Sequence, residues 1–479
     1  MPTKAQLKRK QIEDLARVRE TKNAEIRRLI LEENRVDVLA ALLDYDVAPF
    51  HVLLLRHKLG VDCGNRVRAF TLTIGPRGFG KSSIRNVVYN IWRILKNPNI
   101  RILIGSKASK KAKSFLSEIK GKLQNERLVE IFGDQVGPKW EEESIIVRGR
   151  TIVAKEPTVS ITGWDSQVAS GHYDAIVCDD LVDENNAQTE HLRGQMFKFF
   201  YKTLLPTLEP DGEFDVLGTR YHHDDLYNHL SRYDTDFARA TLIVDCFDKN
   251  GESIWPEKFS TEKLREMETN MGSIIFDSQY RGRTDKMIGK IFNFDMFRWI
   301  DKAPSPTGMK VWQGIDLAIS SSDVSASFAY VTVFHDKENH KYYVVDVFEG
   351  TLSFLEQTEF IIDRFHKFDP IRTGIEANGY QAAKLQELRQ SKDERARAVR
   401  AHPVYTSKDK TARAWKLTAD FERGDIIFVR GVCTALMNRL LEMAPGKKKG
   451  TDLFDALDIA LTVSKRGVKR KRRKEPGLL

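Results

Sequence analysis

From Val67 onward the chain alternates short β-rich runs with helix-forming stretches: VRAFTLTI, IRILIGS, DAIVCDD and EFDVLGT are each followed by a helical segment. Apolar strands separated by helices pack as a mostly parallel sheet covered on both faces, because each parallel crossover must return over one face of the sheet. The segment 144–163 (SIIVRGRTIVAKEPTVSITG) breaks the rhythm and reads as a hairpin insertion. The alternation lapses over 281–305, where the punctuation of Pro304, Pro306 and Gly308 marks a linker. A second block then opens with VWQGIDLAI, ASFAYVTVF and YYVVDVFEG, three strands on short connections. A helix at 353–368, the strand IRTGIEA and further αβ units follow, ending in a helix at 452–464.

At 479 residues the chain is too long for one core, and 41% hydrophobic with 30% charged residues leaves enough apolar side chain for two. The expected division is an N-terminal helical segment at 1–45, a first domain at 46–280, a linker at 281–305, a second domain at 306–464 and a basic tail at 465–479. The N-terminal segment places Leu15, Val18, Ile26, Leu29, Ile30, Val38 and Leu42 at helical spacing, which suits packing against the first domain.

Gly75-Pro-Arg77-Gly78-Phe-Gly80-Lys81-Ser82 satisfies the pattern GxxxxGK[ST], directly after a strand and directly before a helix. In that context the glycines let backbone N–H groups and a helix N-terminus surround phosphates, Lys81 reaches the terminal phosphate oxygens, and Ser82 supplies an oxygen to Mg²⁺. Ser83 opens the helix beside them. A second acidic site is required to hold the metal and orient water, and AIVCDD supplies Asp179 and Asp180 at the end of a buried-type strand. Next, EFDVLGTR ends a strand at Gly218-Thr219-Arg220, where a hydroxyl and a cation stand ready to sense the γ-phosphate; alone, this is equally a strand-ending turn. His222 and His223 read as structural or surface residues and not as metal ligands, with no partner cluster of His or Cys nearby in sequence.

In the second block, acids sit where a metal-dependent phosphodiesterase needs them. Such sites gather carboxylates from separate segments around cations roughly 3.5–4 Å apart. Asp316 lies inside the first strand (GIDLAI), Glu376 ends another (GIEANGYQ), and Asp452, Asp455 and Asp458 recur every three residues on one helix face. Singly, Asp316 is also readable as a hydrogen-bonded core acid, and the helical aspartates as favourable charge at a helix N-terminus. Their convergence on a ribonuclease-H-like strand order favours catalysis.

The series GPRGFGKSS, GWDSQVASGHYDAIVCDDLVDE and VLGTRYHHDDLY resembles, in sequence and order, the ATPase motifs of the large terminase subunits of tailed double-stranded DNA phages. The second block resembles their nuclease domain. The resemblance implies an α/β chain with a P-loop ATPase domain followed by a ribonuclease-H-like nuclease domain. It implies ATP bound by Gly75, Arg77, Gly78, Gly80, Lys81, Ser82, Ser83, Asp179 and Thr219, with Mg²⁺ on Ser82 and Asp179. Asp180 then orients water, although many relatives carry Glu there. In the nuclease it implies catalysis and metal binding by Asp316, Glu376, Asp452 and Asp455, with Mn²⁺ able to replace Mg²⁺ and Asp458 structural. Lys410 and Arg413, in a basic segment shared with the family, are expected on DNA phosphates or, equally, on a solvated helix face. The implied partners are double-stranded DNA, a portal protein, a small terminase subunit and further copies in a ring on the capsid, in host cytoplasm and transiently on the prohead.

Charge is compatible with that reading: of the net +10, residues 465–475 alone supply +7, a cluster suited to polyanions or equally to a solvated end. Four dispersed cysteines give neither a zinc site nor a disulfide framework, and a reducing compartment is expected. No apolar run approaches the ~18–20 residues of a membrane span, and the N-terminus lacks a signal-peptide stretch. Two rivals remain at this level: a helicase-like ATPase-nuclease of repair or recombination, and an ATP-switched DNA-binding adaptor with structural acids.

Overall fold

The alternation of strands and helices is realised as two sheets in a computed structural model that describes residues 19–64, 66–164, 171–317, 326–377, 381–406, 409–447 and 450–465. The chain divides into two compact units, Met1–Glu266 with Phe276–Thr284, and Met267–Ile275 with Asp285–Leu479. Leu15, Val18, the Asn378-Gly379 turn and the basic run from 466 lie outside the described residues. Among the described residues, no helix is long and apolar enough to cross a membrane.

The first unit holds β1 (Phe70–Ile74), β2 (Ile102–Ser106), β3 (Val136–Trp140), β4 (Ser144–Val147), β5 (Val159–Gly163), β6 (Tyr173–Asp179), β7 (Leu208–Gly218) and β8 (Thr241–Ile243), in the order β3-β4-β5-β2-β6-β7-β1-β8. All pairings from β5 to β8 are parallel, as the burial of both faces requires. β4 and β5 are antiparallel, and β5 also pairs with β2, so the predicted hairpin is built into the sheet rather than inserted beside it. Apolar cores lie against the sheet: one gathers Val87, Ile91, Ile102, Leu116 and Ile119, the other Leu72, Ile176, Phe200 and Phe214. Ile30, Val36 and Leu39 of the N-terminal helices belong to the first of these, the packing role expected of that segment.

β1 alternates apolar and hydroxyl side chains, and the register sets Thr71 opposite Asp215 of β7. Asp215 is fully buried and accepts from Thr71 at 2.6 Å. It pairs with Lys58 at 2.7 Å, Arg85 at 3.2 Å and Arg93 at 2.9 Å, while Glu213 takes Lys58 and Arg93 as well. Arg85 and Arg93 lie on the helical run that leaves the P-loop, and Lys58 on helix Pro49–Leu59, so one carboxylate ties three elements together. Burial acts to raise the Asp215 pKa, but Lys58, Arg93 and Arg85 overcome it and hold the group well below the usual carboxylate range. Asp215→Asn leaves buried cations uncompensated and is expected to cost about 3–5 kcal/mol at neutral pH. A depressed folded pKa gives stability above the unfolded value of about 4, lost as pH falls through the folded one. Chemical denaturation should therefore show the gap between wild type and variant fully open at pH 7 and closing below about pH 4.

The second unit holds β9 (Arg298–Ile300), β10 (Lys310–Leu317), β11 (Ala326–Asp336), β12 (Lys341–Leu352), β13 (Arg372–Glu376), β14 (Ala401–Val404) and β15 (Ile426–Val429), in the order β14-β13-β10-β11-β12-β15-β9. β10, β11 and β12 form the antiparallel meander, and the remaining strands add in parallel on either side. Ser353 and Glu356 form a capping box that starts helix Phe354–Phe368, leading the chain from β12 towards β13. Gly314 in β10 permits a close approach: a Cβ there would stand 2.0 Å from the Ala456 carbonyl oxygen and 2.4 Å from the Ala460 nitrogen. Helix Asp452–Lys465 thus lies directly on β10 and carries its acids over that strand.

Of residues 281–305, expected to link the blocks, 281–284 belong to the first unit and 285–305 to the second. Ile291, Phe292 and Phe297 are buried in its core, and β9 extends the sheet beside β15. Prolines and glycines mark where this segment turns; its apolar residues determine where it packs.

Candidate active sites

The register of the first sheet brings the carboxyl ends of three neighbouring strands together. Ile74 pairs with Gly218, and Leu217 with Asp179, so the P-loop, the Asp179–Asp180 pair and Thr219 emerge side by side. This is where an open parallel sheet binds ligands. The Gly75 N–H donates to the Gly218 carbonyl, and the Lys81 ammonium donates to Thr219 Oγ1 at 3.2 Å. Gly78 and Gly80 have φ of +79° and +72°, a left-handed conformation open to glycine, and a Cβ on Gly80 would stand 3.0 Å from the His51 ring. Arg77 is exposed at the rim. Ser83 begins a π-helical turn, Ser83–Val88, that continues into helix Tyr89–Lys96.

Asp179 is fully buried, and neither carboxylate oxygen has a hydrogen-bond partner. Burial and Asp180 push its pKa up to about 6, against Lys111, Lys81 and Ser82. A buried acid with no hydrogen bond on either oxygen and with the Lys111 ammonium 3.9 Å away fits a hard cation. Asp180 has φ +50° and a backbone N–H held by the Leu217 carbonyl; its carboxylate meets Lys111 Nζ at 2.5 Å.

Three features of this site carried no signal in the sequence. His51 accepts from the Ala48 N–H through Nδ1, which leaves Nε2–H to donate to the Phe79 carbonyl at 2.8 Å and pins the P-loop from outside. Phe79 is buried and stacks on Phe259 with centroids 4.7 Å apart. Lys111 is the third. Arg220 is locked by Asp225 and Thr284, and its carbonyl accepts from Gln279, so the cation next to Thr219 is structural. His222 is likewise buried, its pKa lowered to about 3 by burial, as expected of a structural residue.

In the second unit Asp316 is buried near the end of β10. Burial, with Asp455, Glu376 and Asp452 around it, pushes its carboxyl up to about 8 against the pull of Lys410. All four predicted acids therefore bear on one region. Glu376 accepts from the Thr406 hydroxyl. Asp455 is engaged by Lys410 and, at 2.7 Å, by Arg413, which also holds Asp458 at 2.7 Å. Lys410 and Arg413 lie three residues apart on helix Lys410–Glu422 and face the acidic stripe of helix Asp452–Lys465, so these cations point inward instead of towards a duplex. The donor set suits Mg²⁺ or Mn²⁺, and the Lys410 ammonium already stands at Asp455 as a cation. Among the described residues, however, no three acidic, His or Cys side chains are gathered closely enough to hold an ion. The acids are near enough to repel one another without forming a ligand set.

Residues 313–463 match the family model described as the terminase RNaseH-like domain. No curated protein sequence matches the chain. Among solved structures, the large terminase of a thermophilic bacteriophage superposes with a TM-score of 0.50 at 12% identity, over 88% of this chain and 100% of that one. The ATPase domain of the Thermus phage P74-26 large terminase covers 50% of this chain and 95% of its own, at 16% identity and TM-score 0.37. The Mn-bound nuclease domain of the bacteriophage SPP1 large terminase covers 36% and 98%, at 15% identity and TM-score 0.28. Residues 313–463 are thus a terminase RNaseH-like domain, and the fold of the chain is similar to that of a large terminase.

Proposed function

We propose that the chain is the motor subunit of phage DNA packaging, hydrolysing ATP to drive double-stranded DNA into the prohead and cutting that DNA with its second unit. The observation that carries the reading is the convergence of Lys81, Thr219 and the buried Asp179, whose oxygens lack a hydrogen bond, at the carboxyl edge of one parallel sheet, in a chain whose other unit matches the terminase RNaseH-like domain. Lys81 and the P-loop N–H groups hold the triphosphate, Asp180 orients the attacking water, and Thr219 links the phosphate end of the site to β7. Mg²⁺ on Ser82 and Asp179 would neutralise the charge that develops on the phosphates.

In the second unit Asp316, Glu376, Asp452 and Asp455 would hold Mg²⁺ or Mn²⁺ once drawn together, and the ion would activate water and stabilise the leaving oxygen. Asp455 must first be released by Lys410 and Arg413. Work as a ring at a portal, beside a small subunit, belongs to the same proposal. Purified proheads, this chain and ATP should together protect linear DNA from added nuclease; DNA left fully digestible would contradict the motor reading, and strand separation without protection would favour the helicase-like alternative.

A further inference from the structure

The strongest unassigned feature lies on the Asp179–Asp180 pair. Lys111 Nζ is 2.5 Å from Asp180 Oδ2 and 3.9 Å from Asp179 Oδ2. It sits in the first turn of helix Ser109–Leu123, which follows β2, the strand beside β6; that turn has no acid and no side-chain cap. A lysine there opposes the helix dipole and is unfavourable for the helix itself, so its position is explained by what the ammonium reaches. Lys81 acts on Asp179 as well. Asp179 has no exposed side-chain surface, whereas the Lys111 side chain is 39% exposed. A partly exposed ammonium thus meets a buried acid pair from the solvent side.

Resting on the ATPase reading, we infer that Lys111 is a second phosphate-sensing lysine: it pairs with Asp180 as seen here and turns to the γ-phosphate when a nucleoside triphosphate is bound. A terminal phosphate carries more negative charge than one carboxylate and offers three acceptor oxygens, so an ammonium within reach of both favours the phosphate. The exchange releases Asp180 to orient water only when a γ-phosphate is present, which makes Lys111 a positioning residue for Asp180. No bond is made or broken in this step, and no proton moves.

The full chain is used to measure binding of Mg-ADP and of Mg-ATPγS to wild type, Lys111→Gln and Lys111→Arg by calorimetry, with melting temperatures as a control for folding. Lys111→Gln should weaken ATPγS binding about tenfold or more while changing ADP binding less than about twofold, and Lys111→Arg, which keeps a cation, should retain most of the difference. Equal losses for both nucleotides, or none for either, overturn the inference. If wild type binds neither nucleotide, the ATPase reading falls first and the role of Lys111 falls with it.

Discussion

Lys81→Ala should lower ATP turnover by on the order of 10²–10³-fold, the usual cost of removing one preorganised donor from a developing charge, while the chain stays folded. Lys81 contributes its ammonium to Thr219 across the site, but the loop that carries it is held by other means. The left-handed glycines set its path, the Gly75 N–H is bonded to β7, and the buried Phe79 is clamped by His51 and Phe259. Phosphate release measured beside the melting temperature checks both halves of the expectation. Turnover retained by the variant would remove the P-loop from the chemistry.

Asp316→Asn should abolish Mn²⁺-supported plasmid cleavage, by on the order of 10³-fold, since metal-assisted hydrolysis draws several kcal/mol from ligand charge. Stability should change little. Burial and the neighbouring Asp455, Glu376 and Asp452 push the Asp316 carboxyl up to about 8, so it carries little charge at neutral pH and a neutral amide of the same shape replaces it. The variant is expected to melt no lower than wild type, which separates loss of chemistry from loss of fold. Cleavage unchanged in the variant would leave Asp316 a structural acid.

Much of this was legible in the sequence because the relevant information is local. A GxxxxGK[ST] run between a strand and a helix, two acids closing an apolar strand and a strand ending in Gly218-Thr219 name their own positions, and parallel pairing does the rest. Asp316, Glu376, Asp452 and Asp455 are proposed from strand order, helix spacing and family resemblance, and Gly314 explains physically how the last helix comes to lie over β10. What escaped is non-local. Lys111 reaches Asp180 across 69 residues, His51 reaches Phe79 across 28, and Thr71 meets Asp215 across 144. Spacing in the chain says nothing about such pairs. The inward turn of Lys410 and Arg413 belongs to the same class: a basic helix face looks solvated until the acidic face opposite it is known.

The most direct test of two separate centres in one chain is to assay ATP hydrolysis and plasmid cleavage on the same preparations of Lys81→Ala and Asp316→Asn. The expected result is reciprocal, with the first variant losing hydrolysis and keeping ATP-independent cleavage, and the second losing cleavage and keeping hydrolysis. Loss of both activities in either folded variant, or of neither, would contradict it.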